Sequence, residues 1–162
     1  MNAIVVVDKE WGIGKNNDLL FHLKKDMAFF KKTTTGKVVA MGANTYLSLP
    51  RRPLKDRVNV VLDASGKKHE GAICFDDLGK MMQYLKSKYP ADDVFIIGGA
   101  SVYAATLPFC NAVYVTKVDA VGGAEVFYPN LDEMDEWKLT YQSKPEKDEG
   151  FDVTFNVYEK IK

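Results

Sequence analysis

The sequence is poor in the residues that build disulfides and metal sites. Its 162 residues include two cysteines, Cys74 and Cys110, and two histidines, His22 and His69. The cysteines form no C-x-x-C pair and the histidines do not stand at ligand spacing, so we expect neither a disulfide framework nor a metal site. Unpaired cysteines indicate a reducing compartment, and the cytoplasm is the expected location.

The chain also lacks an excess of one charge and a long apolar run. Lys and Arg together number 22, as do Asp and Glu, which argues against a general nucleic-acid binder. No uncharged apolar stretch approaches the roughly 18 residues that a membrane helix needs. The first eight residues have no basic start and reach an acid too early for a secretory signal. We therefore expect no nucleic-acid partner and no membrane association.

What the sequence contains is the composition of a globular α/β protein. Hydrophobic residues make up 46% and charged residues 27%, a balance that is typical of one folded domain. Short β-branched runs alternate with helical patterns, and no repeat or low-complexity linker interrupts them. We expect residues 1–162 to form a single domain. The runs predicted as strands are residues 4–7, 38–41, 58–62, 94–97 and 112–118.

Several of these strands are apolar throughout, which is typical of strands covered on both faces. Helices are predicted at residues 78–89, ended by Pro90, and at residues 100–107, ended by Pro108. Residues 137–144 and 151–158 alternate in polarity around a polar turn at 145–150. The sequence therefore predicts a mixed, mostly parallel central sheet flanked by helices, with an antiparallel C-terminal hairpin.

One acid stands on the apolar stripe of a predicted helix. Leu23, Asp26, Met27 and Phe30 fall on one face at helical spacing, and lysines supply the opposite face. An acid in apolar surroundings needs a partner and has a perturbed proton affinity, which makes it a candidate for proton chemistry or for binding an amidine-like ligand. On spacing alone, the simpler interpretation is favoured, in which Asp26 lies at the edge of the stripe and contacts water or a lysine.

Two strand–glycine–helix junctions suggest a phosphate-containing ligand. Gly98 and Gly99 follow one apolar strand, and Gly42 follows another, with Thr45 able to add a hydroxyl. Glycines let the backbone approach a ligand, and free amides at a helix N-terminus favour an anion. Glycine is common in such turns without any ligand, but two junctions suit the two phosphates of a dinucleotide. Neither is the G-x-G-x-x-G fingerprint, so a standard Rossmann domain is disfavoured.

Taken together, these segments resemble dihydrofolate reductase along nearly the whole chain. Each matching segment is modest by itself, but their common order and spacing are specific. The segments are residues 12–19, the helix with Asp26 and Phe30, residues 39–42, 52–54, Arg57, 97–99, 102–103, 107–108, 114–116 and 127–129.

The resemblance implies a dihydrofolate-reductase-like fold and a reaction in which a reduced nicotinamide passes hydride to C6 of 7,8-dihydrofolate while N5 is protonated. NADPH would be the cofactor, with NADH as a possible second. The product, tetrahydrofolate, would support one-carbon metabolism and thymidylate synthesis. The expected partners are dihydrofolate and antifolate-type small molecules, and the expected state is a monomer.

The resemblance also assigns residues to the substrate. Asp26 would hold the 2-amino group and N3 of the pterin, Thr116 would hydrogen-bond the Asp26 carboxylate, and Phe21 would complete the catalytic group. Phe30 would pack on the substrate rings, and Arg57 would bind the carboxylate of the glutamate tail. The full substrate set is Ile4, Val5, Asp26, Met27, Phe30, Leu49, Leu54, Arg57 and Thr116.

The implied cofactor site includes both glycine junctions and the segment that precedes the acid helix. Residues 11–20 would be a mobile loop that closes over the nicotinamide and excludes water. The cofactor set is Val6, Ile13, Gly14, Asn17, Leu19, Gly42, Ala43, Asn44, Thr45, Leu62, Asp63, Ile97, Gly98, Gly99, Ala100, Ser101, Val102 and Tyr103.

The chain departs from the family pattern mainly at the adenosine end of this site. Ala43 and Ser101 stand where the family frequently has arginine, and Asp63 ends the strand that should lie beside the adenosine ribose. NADP sites normally hold the 2′-phosphate with arginine, so we expect weakened discrimination between NADPH and NADH. A turn-capping role for Asp63, or a cation from Lys67 or Lys68, would leave NADPH preferred.

Two further departures lie near the closing loop. Leu20-Phe21 replaces the usual Pro-Trp, which removes an indole N–H donor near the acid, and residues 124–126 (Ala-Glu-Val) replace Gly-Asp-Thr.

Two other functions are compatible with parts of the sequence. One is the pyrimidine reductase of riboflavin synthesis, which does not require Asp26, Phe30 or Arg57; the other is a folate- or nucleotide-binding protein with little turnover.

Overall fold

The computed structural model describes residues 1–162, which form twelve strands and four α-helices. The strands are β1 (Asn2–Val7), β2 (Gly12–Lys15), β3 (Asp18–Leu19), β4 (Val38–Gly42), β5 (Val58–Leu62), β6 (Ile73–Phe75), β7 (Val94–Gly98), β8 (Ala112–Val118), β9 (Val126–Phe127), β10 (Trp137–Gln142), β11 (Glu146–Asp148) and β12 (Phe151–Lys160). The helices are α1 (Lys24–Thr34), α2 (Ala43–Ser48), α3 (Leu78–Lys88) and α4 (Ala100–Thr106), with 3₁₀ turns at Ala91–Asp93, Leu107–Phe109 and Leu131–Glu133.

The central sheet has nine strands in the order β10-β12-β8-β1-β7-β4-β5-β6, with β11 paired to β12 beside this path. The six strands from β8 to β6 pair in parallel, whereas β12 and its neighbours β8, β10 and β11 pair antiparallel. This confirms the predicted α/β class and its mixed, mostly parallel sheet. A second, separate sheet consists of three antiparallel strands in the order β3-β2-β9.

Apolar strands and helix faces explain where the core lies. The inner strand β4 is almost fully inaccessible from Val38 to Met41, at 2% exposure or less, because helices cover both faces of a parallel sheet. Helix α3 buries Met81, Met82 and Leu85, and the Asp77 side chain accepts a hydrogen bond from the Lys80 amide at its start. No helix in the structure combines the length and the apolar character needed to cross a membrane.

The predicted element bounds are largely confirmed. Strands β5 and β8 have the predicted limits, and β4 and β7 each run one residue further, to Gly42 and Gly98. Pro108 does not end helical structure as predicted. Helix α4 ends at Thr106, and Pro108 lies inside the following 3₁₀ turn, since proline is tolerated in the first turn of a helix, where its missing N–H is not needed.

The C-terminal hairpin is confirmed, but the segment 145–150 is more than a turn. Residues Glu146–Asp148 form β11 against the start of β12, which leaves Glu149 and Gly150 as the turn, both with positive φ. This added strand carries Asp148 inward, where the residue is only 3% exposed.

The predicted closing loop at 11–20 contains regular structure that the sequence did not predict. It forms the hairpin β2–β3, with Asn16 and Asn17 at φ 52° and 60° in its two-residue turn. Asparagine tolerates this left-handed conformation, which suits the twist of a tight hairpin.

Candidate active site

Helix α1 brings Asp26 against the sheet. The Thr116 hydroxyl on β8 donates to Asp26 Oδ1 at 2.6 Å. One turn further, the Phe29 ring packs on Phe155 of β12, with ring centroids 5.0 Å apart. Strands β8 and β12 are adjacent, and Phe155 pairs with Thr116 in the register. These two contacts, one polar and one aromatic, join the helix to neighbouring strands.

The predicted apolar stripe of this helix is wrong at Met27, which is 56% exposed. Leu23 is buried as predicted, at 2% exposure, although it precedes the helix as its N-cap. Phe29, which the pattern did not select, packs against the sheet instead. The physical reason is that α1 covers only part of the sheet, so the face with Asp26 and Phe30 is half-buried rather than enclosed.

The environment of Asp26 favours its protonated form. Burial is the main cause, and the negative charge of Asp148 adds to it; the hydrogen bond from Thr116 opposes both. Together they raise the pKa of Asp26 to about 6. A carboxyl group with this pKa exchanges its proton close to neutral pH, which is what proton transfer in a reaction requires.

Asp148 is a site residue that the sequence did not reveal. Its Oδ1 accepts a hydrogen bond from the Lys25 amide at 3.2 Å, and its Oδ2 accepts one from the Asp26 amide at 3.0 Å. The N-cap residue Leu23 makes no side-chain cap of its own. Asp148 therefore caps α1 from a distant strand, next to the acid.

Arg57 lies over the far end of the same helix. Its guanidinium carbon is 5.8 Å from the centre of the Phe30 ring, and its Nη1 donates to Thr34 Oγ1 at 3.1 Å. Burial lowers the pKa of Arg57 from its ordinary value, but an arginine remains cationic at neutral pH. A cation held beside an aromatic ring in this way can bind a carboxylate next to an aromatic group.

Buried Asn59 fixes the loop that carries Leu54 and Arg57. Its Oδ1 accepts from the Leu54 amide at 2.9 Å, and its Nδ2 donates to the carbonyls of Leu54 and Arg57 at 3.0 and 3.1 Å. Leu54 and Leu49 are half-buried against the small apolar cluster around Tyr46. Asn59 thus joins the backbone of Leu54 to that of Arg57, and the assignment of both leucines to the substrate remains a prediction.

Strand β1 lies beside β8, which carries Thr116, and contacts helix α4. Ile4 and Val5 are buried, and the Ile4 carbonyl accepts a hydrogen bond from the Tyr103 hydroxyl at 2.7 Å. Val6 pairs with Thr116 in the parallel register. Strand β1 therefore connects the surroundings of Asp26 directly to helix α4.

The two glycine junctions lie side by side at the carboxyl edge of the sheet. Met41 of β4 pairs with Gly98 of β7, and Gly42 pairs with Leu62 of β5. Gly42 and Gly99 are the N-cap residues of α2 and α4. Ligands of open α/β sheets bind outside the carboxyl ends of the strands, so this edge is the candidate cofactor site.

The backbone at this edge has little room for side chains. A Cβ on Gly98, whose φ is +139°, would approach Thr45 Oγ1 to 3.1 Å, and a Cβ on Gly99 would approach it to 3.2 Å. A Cβ on Gly42 would lie 3.2 Å from the side chain of Val102. This close glycine edge, with the Thr45 hydroxyl beside it, fits the extended diphosphate of a nicotinamide dinucleotide.

The remaining predicted cofactor residues divide by exposure. Ile97, Ala43 and Ala100 are half-buried, and Asn44 and Ser101 are exposed, so these five can present surface to a ligand. Val102 and Tyr103 are buried in the main core and shape the edge from behind. In the closing hairpin, Ile13 and Gly14 are buried, whereas Asn17 and Leu19 are exposed towards its tip.

Comparison with known proteins gives the family. The family model described as dihydrofolate reductase matches residues 1–160. The chain belongs to the dihydrofolate reductase family. It is 34% identical to dihydrofolate reductase of Bacillus subtilis, over 99% of this chain and 94% of the relative. It is 35% identical to dihydrofolate reductase of Sus scrofa, over 99% of this chain and 97% of the relative.

A solved structure agrees with this assignment. Dihydrofolate reductase from Enterococcus faecalis, complexed with NADP(H) and RAB-propyl, superimposes with a TM-score of 0.87 at 26% identity, over 99% of this chain and 96% of that one. The resemblance inferred from the sequence is thereby confirmed, and the protein is an NADPH-dependent oxidoreductase of the dihydrofolate reductase type.

At one departure from the family pattern, Asp63, both carboxylate oxygens make hydrogen bonds within the chain. Asp63 Oδ2 lies 2.7 Å from Nε2 of buried His69, and Oδ1 accepts from the Ser65 amide and hydroxyl at 3.0 and 2.6 Å. The Ser65 side-chain hydrogen bond, followed by that of His69, lowers the pKa of Asp63 to about 2. Asp63 thus caps the turn at 63–66, which is the alternative that the sequence left open.

A second departure, at residues 124–126, still contacts the closing hairpin β2–β3. Glu125 Oε1 accepts a hydrogen bond from the Asn16 amide at 2.7 Å, across 109 residues. At the base of the same hairpin, buried Asp8 accepts from the amides of Gly12 and Gly122 at 2.8 and 2.9 Å. The loop around residue 125 therefore contacts the closing hairpin at both its tip and its base.

Proposed function

We propose that this protein reduces 7,8-dihydrofolate to tetrahydrofolate with hydride from NADPH, and that Asp26 is the acid on which the reaction depends. The observation that carries this proposal is the half-buried Asp26 carboxyl, bonded to Thr116 at 2.6 Å with its pKa raised to about 6. It is the one acid in the site whose proton affinity suits proton transfer near neutral pH.

The chain's residues bind the substrate at both ends. The Asp26 carboxylate accepts hydrogen bonds from the pterin 2-amino group and N3, a charge-assisted pair that fixes the ring. Phe30, together with Leu49 and Leu54, packs on the rings, and Arg57 binds the carboxylate of the glutamate tail. The proton that goes to N5 is taken up from solvent, with Asp26 as the group whose protonation sets the pH range, and hydride goes to C6, so that one hydride and one proton enter the product.

NADPH, when bound, supplies the hydride. The glycine edge of Gly42, Gly98 and Gly99 would hold its diphosphate, with Thr45 as a hydroxyl donor. The hairpin at 12–19 excludes water from the reacting atoms. Phe21 contributes packing only, because a phenyl ring has no exchangeable proton; its ring lies edge-on to Phe151, with centroids 4.9 Å apart.

The direct test is loss of reduced-nicotinamide absorbance when the protein is mixed with dihydrofolate and NADPH. Turnover supports the proposal, and tight binding without turnover supports the binding-protein alternative. The pyrimidine reductase alternative is disfavoured by the family match, and turnover of a ribosyl-phosphate pyrimidine in place of dihydrofolate would revive it.

We further propose that the enzyme acts as a monomeric single domain and supplies tetrahydrofolate to one-carbon metabolism and thymidylate synthesis. We propose the cytoplasm as its location, because Cys74 and Cys110 are free thiols, which suit a reducing compartment.

We expect NADPH to be preferred over NADH, but with a smaller ratio of kcat/KM values than in cofactor sites that bind the 2′-phosphate with arginine. Ala43 begins α2 without a cationic side chain, and Asp63 leaves a negative charge at the end of β5. Ala43→Arg should raise the NADPH-to-NADH ratio of kcat/KM by roughly 10- to 100-fold, since a charge-assisted hydrogen bond is worth about 1.5–3 kcal/mol.

The ratio is measured at low salt in wild type, Ala43→Arg and Ala91→Arg. Ala91 is exposed before the amino end of β7, at the opposite edge of the sheet, so its variant adds the same charge away from the site. A strong NADPH preference in wild type that Ala43→Arg leaves unchanged would show that other groups, such as Lys67 or Lys68, bind the 2′-phosphate.

A further inference from the structure

Asp148 is an acid at a helix-capping position that a neutral residue could also fill. Its two oxygens accept from the amides of Lys25 and Asp26, and the residue is only 3% exposed. A neutral serine or asparagine caps a helix about as well as aspartate. Burial of a carboxylate is more costly than burial of a neutral acceptor, and no cationic group lies within 4.0 Å of Asp148 to compensate its charge.

The negative charge acts on the neighbouring acid. Asp148 accepts a hydrogen bond from the backbone amide of Asp26 itself, which joins the backbone of the acid to the β11 strand. Two carboxyl groups in a half-buried site repel each other when both are ionised, which favours a proton on one of them. Asp148 is part of the cause of the raised pKa of Asp26.

The other elements packed on Asp26 offer few competing charges. Thr116 on β8 donates a hydrogen bond, and β1 and β12 present the apolar side chains of Val6 and Phe155. Tyr103 on α4 interacts with the Asp26 charge, but burial raises its own pKa and keeps its hydroxyl neutral.

The nearby lysines are directed to other acids. Lys24 lies 3.9 Å from Glu149, and Lys117 of β8 lies 3.3 Å from Asp132. Among the groups that face Asp26, Asp148 is therefore the one whose negative charge adds to the raised proton affinity of Asp26.

We propose that Asp148 is a positioning residue for Asp26, which fixes the backbone of the acid and, through its negative charge, keeps the acid protonated at higher pH. This inference rests on the proposed function for its catalytic consequence, but its electrostatic part concerns the protein alone. It assigns to the hairpin β11–β12, far from Asp26 in sequence, control over the pH range of the enzyme.

The test compares wild type, Asp148→Asn, Asp148→Ser and the control Asp152→Asn by carboxyl ¹³C NMR titration of Asp26. Asp152 lies on β12 next to β11, its side chain is 47% exposed and it pairs with Lys147 at 2.9 Å, so its variant removes a similar charge that does not contact α1. We expect both Asp148 variants to lower the Asp26 midpoint by about 0.5 pH unit or more, and Asp152→Asn to leave it in place.

The consequence for activity is measured on the same proteins as the pH dependence of single-turnover NADPH oxidation. Above the midpoint, the rate of Asp148→Asn should fall about threefold for each 0.5-unit shift, while the low-pH plateau stays close to that of wild type. An unchanged Asp26 midpoint in either folded variant would overturn the proposal and leave Asp148 as a simple cap. Failure of both neutral variants to fold would overturn it as well, since the charge would then serve stability. A shifted NMR midpoint in a protein that does not turn over dihydrofolate would sustain the electrostatic inference and reject the proposed function.

Discussion

Asp26→Asn is expected to lower kcat for dihydrofolate by a factor of about 10²–10⁴, the range typical of acid–base residues. Asparagine keeps the shape of the side chain and can still accept the hydrogen bond that Thr116 donates at 2.6 Å. It loses both the charge that binds the pterin amidine and the titratable proton that sets the pH range of the reaction. Steady-state assays at neutral pH measure the effect, and an unchanged kcat would remove the acid from the mechanism.

Thermal unfolding of the same variant separates lost chemistry from lost structure. The pKa of Asp26 is raised on folding, so the folded state disfavours the ionised carboxyl. The associated stability is complete below the unfolded pKa and is lost as the pH rises through about 6. At neutral pH the neutral asparagine should therefore leave the Tm equal or higher. A lower Tm together with lower kcat would attribute the loss of activity to damage of the fold.

Arg57→Ala is expected to act on substrate binding far more than on chemistry. Loss of one partner of a partly buried ion pair costs about 2–5 kcal/mol, which corresponds to a rise in KM of roughly 30-fold to several thousand-fold. Because Arg57 is half-exposed, the lower part of this range is expected. The rise should apply to dihydrofolate and not to a dihydropterin without the glutamate tail, since only the tail carries the carboxylate.

Two variants serve as controls for this prediction. Arg57→Lys keeps the charge but loses the planar fork and should recover only part of the binding. Arg52→Ala removes an exposed arginine whose Nη1 donates to the Leu47 carbonyl, and it should leave KM nearly unchanged. Equal penalties for both substrates in Arg57→Ala would reject the assignment of this residue to the tail.

The parts of the fold that the sequence predicted are those set by local pattern. Continuous β-branched runs define the inner parallel strands, and the Leu78–Lys88 periodicity defines α3, because burial on one or both faces leaves a direct trace in residue order. The junctions at Gly42 and Gly98 were visible for the same reason. Their adjacency follows from the parallel pairing of β4 with β7, and the family resemblance supplied the pairing of Asp26 with Thr116.

The parts that the sequence did not predict depend on contacts distant in the chain. Asp148 lies 122 residues from the amide of Asp26, and nothing in its local polar surroundings distinguishes it from a solvated turn residue. Glu125 bonds Asn16 across 109 residues. The phase of α1 was misjudged because Met27 and Phe29 are both apolar, and only the position of β12 selects Phe29 as the packed residue.

Single-turnover NADPH oxidation by the wild-type protein, measured from about pH 5 to about pH 8, tests most directly whether the proton on Asp26 governs the reaction. With a midpoint at about 6, the rate with dihydrofolate should be highest at low pH and should fall about tenfold per pH unit above the midpoint. The same scan on Asp26→Asn should show a low rate without this midpoint. A wild-type rate independent of pH, or the same midpoint in both proteins, would contradict the account.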